Sequence, residues 1–242
     1  MSSTSEKGHG KNVANLETLI IRCEGFGNPY NPSNSMITIP NLTTYYQESK
    51  QLFTDVITTE APFDEVSGRR KNVFKKLRPM CTQILNAFKA ANSPSNIIAN
   101  AETINRKLQG KRADNSPTET LPDEIPKDKI SVSQQSYELL VDHFEKLIEV
   151  GVIEPSYNPN EIPLQITTLK TFKDQLDALN TEVKTKAVPY SNSMKARNAK
   201  MYVPETGIVP LTQMVKNYVK SVFGASSPEY KSISKLIFTN IK

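Results

Sequence analysis

The sequence has no tryptophan, only two histidines, two cysteines and nine glycines in 242 residues. Cys23 and Cys81 stand in unrelated contexts, so we expect reduced thiols rather than a disulfide framework, with Cys81 in the core. No run of about 20 apolar residues is present, which excludes a typical membrane-spanning helix. The opening residues MSSTSEKGHGK contain no apolar signal segment, so we expect a cytoplasmic protein.

Motifs that carry chemistry are also missing. The sequence contains no GxGxxG, no GxxxxGK[ST] and no GxSxG motif, and no His/Cys/Asp/Glu group has metal-ligand spacing. His9 falls in the polar tail, and His143 lies on the apolar face of a predicted helix, which favours a core residue over a ligand. Glu145 and Glu149 are four residues apart but lack a Glu-x-x-His partner, so we interpret them as a solvated face. We therefore expect no metal, no cofactor and no catalytic residue.

The composition is that of a globular protein, with 37% hydrophobic and 23% charged residues. A net charge of +5 and a pI of about 9.0 permit an acidic partner without requiring one.

An internal repeat is the most informative feature of the sequence. Tyr30-Asn31-Pro32 recurs as Tyr157-Asn158-Pro159, 127 residues later, and apolar positions follow at the same spacing. After one residue of slippage, Arg69 matches Arg197. The spacing then rises to 134, so the second copy carries about six extra residues after Tyr202, which we interpret as a loop. These matches indicate a tandem duplication.

The predicted organisation has four parts. A disordered tail covers 1–11, a first helical repeat 12–109, a linker 110–130 and a second helical repeat 131–242. The linker is rich in Pro, Asp, Glu and Lys, and it has too little apolar surface to form a core.

Helical periodicity places the main elements. In the second repeat, a helix over 160–186 carries an apolar stripe with spacings of three and four residues, and a second helix runs over 211–222. The first repeat has counterparts at 39–59 and 77–88. Further helices are predicted at 133–150 and, more weakly, at 12–22. We expect tight turns at Pro62 and Pro189, because proline disrupts helix interiors.

The predicted fold is all-α. Each repeat forms a helical hairpin, and the two hairpins pack face to face about a pseudo-twofold axis as one antiparallel bundle, with extra helices at the ends. Two separate small bundles joined by the linker are the alternative.

Several strings resemble an uncharacterised family of tandem-repeat helical proteins from Bacteroidetes bacteria. They are SVSQQSYELLVDHF (131–144), YNPNE (157–161), ARNAKMY (196–202), YVKSVFGASSPEYKSIS (218–234) and TINRKLQGKRA (103–113). The resemblance implies the same helical architecture and a bacterial cytoplasmic origin. It implies no activity, ligand or catalytic residue.

Basic clusters are the one direct functional signal. The candidate nucleic-acid-binding residues are Arg69, Arg70, Lys71, Lys75, Lys76, Arg78, Arg197 and Lys200. No recognisable DNA-binding motif accompanies them. We therefore expect a non-enzymatic protein that acts through an unidentified protein partner, without a membrane or small-molecule ligand. Phosphate-backbone binding is the first alternative, and an enzyme with a site assembled from distant residues is the second.

Overall fold

A computed structural model describes residues 8–111 and 135–241, which form α-helices and two 3-10 helices, Ser35–Ile37 and Ile162–Leu164, without a β-strand. The all-α prediction is confirmed for these residues. The helices are α1 (His9–Gly25), α2 (Ile39–Phe74), α3 (Leu77–Ala90), α4 (Ser95–Leu108), α5 (Tyr137–Ile153), α6 (Ile166–Met201), α7 (Ile208–Phe223) and α8 (Pro228–Ser234).

The longest helices, α2 and α6, contradict the predicted hairpins. Each is 36 residues long and contains its proline, Pro62 or Pro189, in its interior, so the predicted turns are wrong. An interior proline removes one backbone hydrogen bond from the helix. The residues whose carbonyls lose that bond, Thr58 and Thr185, are exposed, so water can hydrate the carbonyls. Val66, one turn after Pro62 in α2, is buried, which favours continuation of the helix.

The equal lengths of α2 and α6 also fix their correspondence. Both helices begin and end 127 residues apart, which leaves no room for the one-residue slippage inferred from the sequence. Arg70 therefore corresponds to Arg197, and the predicted match of Arg69 with Arg197 is wrong.

Two compact units divide the chain. Unit 1 comprises the segments up to Phe63 and from Ala187 onward, and unit 2 comprises Asp64–Lys186. Unit 1 therefore combines α1 and the first part of α2 with the last part of α6, α7 and α8. Unit 2 combines the rest of α2, α3 and α4 with α5 and the first part of α6. Each unit takes helices from both predicted repeats, instead of one hairpin from one repeat.

Each unit has its own hydrophobic core, whose members lie within that unit. The core of unit 1 includes Val13, Leu16, Leu19, Ile20, Cys23, Leu42, Met201, Ile208, Leu211, Val215, Val219 and Ile233. The core of unit 2 includes Phe74, Leu77, Cys81, Ile84, Phe88, Leu108, Phe144, Leu147, Ile148, Leu169 and Leu176. The predicted core positions of Cys81 and His143 are confirmed, since both side chains are buried.

The first helix of each half shows the same burial pattern. Helices α1 and α5 are both 17 residues long and begin 128 residues apart. Their buried residues correspond in pairs, namely Val13 and Val141, Leu16 and Phe144, Leu19 and Leu147, Ile20 and Ile148, and Cys23 and Gly151. The weakly predicted helix at 12–22 is therefore as well embedded as the strongly predicted one.

The predicted tail and linker are covered only in part. His9–Lys11 form the first turn of α1, so the prediction of a disordered tail is wrong for these residues. Residues 1–7 and, apart from Gly110 and Lys111, the predicted linker 110–130 lie outside the described residues. The boundaries of the two repeats, 12–109 and 131–242, and their packing as one bundle remain predictions.

Candidate binding site in unit 1

The arginines of the first basic cluster already have partners within unit 2. Arg69 forms ion pairs with Glu182 at 2.5 Å and Glu65 at 3.6 Å. The guanidinium carbon of Arg70 lies 4.1 Å from the centre of the Tyr137 ring. Arg78 donates hydrogen bonds to the Leu108 carbonyl at 3.2 Å and to Gln135 at 2.8 Å. The guanidinium groups of Arg69 and Arg78 are therefore engaged in polar contacts within unit 2.

The lysines of that cluster are less engaged. Lys71, Lys75 and Lys76 are exposed, and within residues 8–111 and 135–241 none of them has an ion-pair partner. Lys75 has one weak contact, 3.3 Å to the side chain of Asn72. The side chains of this cluster with the fewest contacts are therefore the three lysines, and binding of phosphates by the cluster remains a prediction.

The remaining candidates, Arg197 and Lys200, belong to unit 1. Arg197 is buried, and its guanidinium donates to Asn198 Oδ1 at 3.0 and 3.1 Å. Lys200 forms an ion pair with Glu48. Its ammonium also lies 4.9 Å from the centre of the Tyr45 ring. Of these two residues, only Lys200 borders an open surface.

That surface is a cleft of about 390 Å³, which we name cleft A. One wall comes from the first turns of α2 with the preceding 3-10 helix, and the other from the end of α6 and the connection to α7. The lining residues are Met36, Asn41, Thr44, Tyr45, Glu48, Ala199, Lys200, Val203, Thr206 and Leu211.

Cleft A depends on the length of the connection between α6 and α7. Six residues, 202–207, join these helices, whereas two residues, 75–76, join α2 and α3. The difference of four residues replaces the predicted insertion of about six. Val203 and Thr206 of the longer connection form part of the cleft wall. A connection of two residues, like the one between α2 and α3, is too short to form this wall.

Gly207 forms a backbone hydrogen bond that closes a turn within the α6–α7 connection. Its amide donates to the Val203 carbonyl at 2.9 Å. A Cβ atom at Gly207 would lie 2.5 Å from the Val203 carbonyl oxygen and 2.7 Å from that of Met201. Both are backbone atoms, so the connection could not accommodate a side chain without moving. The absence of a side chain at Gly207 is therefore a requirement for the shape of cleft A.

Tyr45 anchors the polar side of the cleft. Its hydroxyl donates to the Lys200 carbonyl at 3.0 Å, which links α2 to the end of α6. Burial raises the pKa of Tyr45 above its ordinary value, so the hydroxyl stays protonated and remains a donor. The charged pair of Glu48 and Lys200 thus lies beside an apolar surface formed by Met36, Val203 and Leu211.

A second cleft of about 330 Å³, cleft B, borders the other side of the same connection. It is lined by Met201, Tyr202, Val203, Pro204, Val209, Pro210, Gln213 and Asn240. The Tyr202 hydroxyl lies 2.7 Å from His9 Nδ1, so cleft B is tied to the start of α1. The connection is therefore flanked by concave surface on both sides.

Burial suppresses ionisation of both cysteine thiols. Burial raises the pKa of Cys23 and of Cys81 to about 12, so both thiols stay protonated. Burial and the nearby positive charge of Arg197 lower the pKa of His9. Across residues 8–111 and 135–241, no group of His, Cys, Asp and Glu could hold a metal ion. The clefts have donors, acceptors and apolar surface, which are features of recognition.

The clefts were not predicted from the sequence, although one signal pointed to them. The extra residues after Tyr202 were recognised, but their neighbours depend on the pairing of α6 with the first turns of α2. That pairing joins residues about 155 positions apart in the sequence, as in the Tyr45–Lys200 hydrogen bond.

No protein-family model, curated protein or solved structure matches the chain. In the part of the chain that the structure describes, no helix combines the length and apolarity that spanning a membrane requires.

Proposed function

We propose that the protein is a non-enzymatic binding module that recognises another protein through cleft A of unit 1. The observation that supports this most strongly is the four-residue extension of the α6–α7 connection. It creates an apolar cleft with a charged pair at its side in unit 1, whereas the connection in unit 2 is the dipeptide Lys75-Lys76.

The rim of cleft A favours a protein partner over a small molecule. Met36 and Val203 line the cleft and are each 37% exposed. Exposed apolar side chains beside a polar rim are typical of protein interfaces, where methionine and tyrosine are enriched. We infer that an apolar side chain of the partner enters the cleft, while Glu48 and Lys200 contact polar groups around it.

The proposal includes two expectations from the sequence. We infer that the two halves derive from a tandem duplication, with a bacterial cytoplasmic origin like that of the Bacteroidetes family they resemble. After duplication, the longer connection would have given unit 1 a recognition surface that unit 2 lacks. The matching burial in α1 and α5 supports the common origin.

Lys71, Lys75 and Lys76 favour one other function, which is binding to a phosphate backbone. Association through three lysines would weaken steeply as salt rises, because neutralised phosphates release counterions. Association through cleft A, which buries apolar surface, would change little between low and moderate salt.

The test is a pull-down from native lysate with and without nuclease, at low and moderate salt, using variants as the bait. Val203→Asp places a charge in the apolar wall of cleft A, and we expect capture of the partner to fall by about tenfold or more. Val222→Asp is the matched control, since Val222 is similarly exposed at 45% on α7 but does not line the cleft.

Two outcomes would contradict the proposal. Equal capture by the Val203→Asp and Val222→Asp baits would remove cleft A from the interaction. Loss of capture with nuclease, or after replacing Lys71, Lys75 and Lys76 with glutamine, would favour phosphate-backbone binding.

A further inference from the structure

The residues after α8 form a segment without helix or strand that lies against α1 and α7 of unit 1. We name residues 235–241 the strap. Its Leu236 and Phe238 pack against the core of unit 1, while Ile237 between them is exposed. Alternating burial of this kind is typical of an extended backbone.

Three side chains of unit 1 bind the backbone of the strap. Asn12 Nδ2 donates to the Thr239 carbonyl at 2.8 Å, and Asn12 Oδ1 accepts from the Thr239 amide at 3.1 Å. Asn15 donates to the Ile237 carbonyl at 2.8 Å. Lys216 donates to the Leu236 carbonyl at 2.6 Å. These contacts do not depend on the side chains of the strap.

Asn12 and Asn15 are unusual residues for their position. They are 2% and 9% exposed on a helix face that otherwise forms the core. Buried amide groups are costly without hydrogen-bond partners, and the strap supplies most of the partners of these two. The face therefore suits a ligand that presents free backbone groups.

Unit 2 provides the contrast. The residues of α5 that correspond to Asn12 and Asn15, 128 positions later, are Leu140 and His143. Leu140 belongs to the core cluster with Leu108 of α4, which packs on α5. The backbone amides and carbonyls inside helix α4 bond to one another, so the facing position on α5 needs no polar side chain and is the leucine Leu140. The backbone groups of a segment outside helices do not bond to one another in this way, which accounts for Asn12 at the position of Leu140.

We propose that the groove between α1 and α7, formed around Asn12, Asn15 and Lys216, is a binding site for an extended polypeptide segment of a partner protein, and that the strap occupies this site in cis. The partner segment carries apolar side chains at alternate positions, as in Leu-x-Phe, and replaces the strap by making the same backbone hydrogen bonds. This site is separate from cleft A and does not depend on the function proposed for that cleft.

The test measures binding of a labelled peptide, SKLIFTNI, which copies residues 234–241, to the full chain. In the variant Leu236→Ala with Phe238→Ala, the strap is weakened while the groove is unchanged. We expect this variant to bind the peptide about tenfold or more tightly than the wild type, because the fraction of open grooves rises. Ile237→Ala is the matched control and should bind like the wild type, since Ile237 is exposed.

A modified peptide tests the hydrogen bonds themselves. Methylation of the amide nitrogen at the position of Thr239 removes the donor to Asn12, so binding to the strap-weakened variant should fall by about tenfold or more. Adding Asn12→Leu, which installs the residue of unit 2, should have a similar effect on the unmodified peptide.

Equal peptide affinity in the wild type and the strap-weakened variant, or undiminished binding of the methylated peptide, would overturn the proposal. If the strap-weakened variant does not fold, the unsubstituted chain is used with a peptide carrying a photoreactive group at the position of Ile237. Crosslinks confined to α1, α7 and α8 support the proposal, and crosslinks spread equally over both units overturn it.

Discussion

Units 1 and 2 are built from corresponding helices and differ mainly in two places. The α6–α7 connection of unit 1 has six residues and borders two clefts, whereas the α2–α3 connection of unit 2 has two lysines. After α3, unit 2 continues with the 14-residue α4. After α7, unit 1 continues with the 7-residue α8 and then the strap. Similar helices are therefore joined by a connection that borders two clefts in unit 1 and by a dipeptide in unit 2.

The largest effect on stability is expected from a charge placed in the core of unit 2. Leu176 is fully buried in α6, so Leu176→Asp would place a carboxylate among apolar side chains. We expect a loss of about 4 kcal/mol or more in the free energy of unfolding, measured by chemical denaturation. Gln175→Asp, one residue earlier and exposed, is the control and should change stability by less than about 0.5 kcal/mol. Equal stability of both variants would mean that the buried face of α6 is misassigned.

Two glycines have opposite surroundings. Gly207 shapes the longer connection, whereas Gly68 lies in open space. Gly207→Ala should destabilise the protein by about 1–3 kcal/mol and weaken partner binding, since the new Cβ meets the backbone of residues 201–203. Gly68→Ala in α2 meets nothing within 4 Å and should stabilise the protein by about 0.5–1 kcal/mol. Thermal unfolding of both variants checks the opposite signs. Two shifts of the same sign would contradict the tight closure at Gly207.

Each unit contains one of the two histidines. Lowering the pH should therefore reduce the free energy of unfolding through a histidine in both units. Burial lowers the pKa of His9, and burial together with Lys107 and Lys146 lowers that of His143. The unfolded chain therefore binds protons more readily than the folded protein, and stability falls as the pH drops below the unfolded value of about 6.5. Denaturation at pH 7.0, 6.0 and 5.5 measures this slope. His9→Gln should reduce it, and a slope that is unaltered would contradict the environment described for His9.

A surface ion pair should have the smallest effect. Arg69 is exposed and Glu182 is partly exposed, so solvent screens their attraction. Arg69→Ala should therefore shift the unfolding temperature less than either glycine substitution and leave partner capture unchanged. A larger shift would show that the Arg69–Glu182 contact contributes to the packing of α2 against α6 in unit 2.

The amphipathic segments could be predicted from the sequence, because burial follows the helical period within one segment. The apolar stripe of Leu169, Leu176, Leu179 and Val183 is buried in α6 as expected, and so is the face of α3 around Cys81 and Ile84. Here a local pattern is sufficient, since each residue is three or four positions from its neighbour on the same face.

The turns and the clefts could not be predicted in the same way. Proline is a strong local signal, but Pro62 and Pro189 are exposed within helices that bury other residues, so tertiary packing outweighs the missing hydrogen bond. The walls of cleft A come from residues near 40 and near 203, and no local rule pairs them. The roles of Asn12 and Asn15 likewise depend on a strap more than 220 residues away.

The most direct test of the account places a photoreactive amino acid in each of the two corresponding connections. Position 206 lies in the α6–α7 connection beside cleft A, and position 75 lies in the α2–α3 connection of unit 2; both side chains are exposed. In native lysate treated with nuclease, we predict a salt-resistant protein adduct from position 206 and none from position 75. The same adduct from both positions, or an adduct from position 75 alone, would contradict the claim that unit 1 carries the recognition surface.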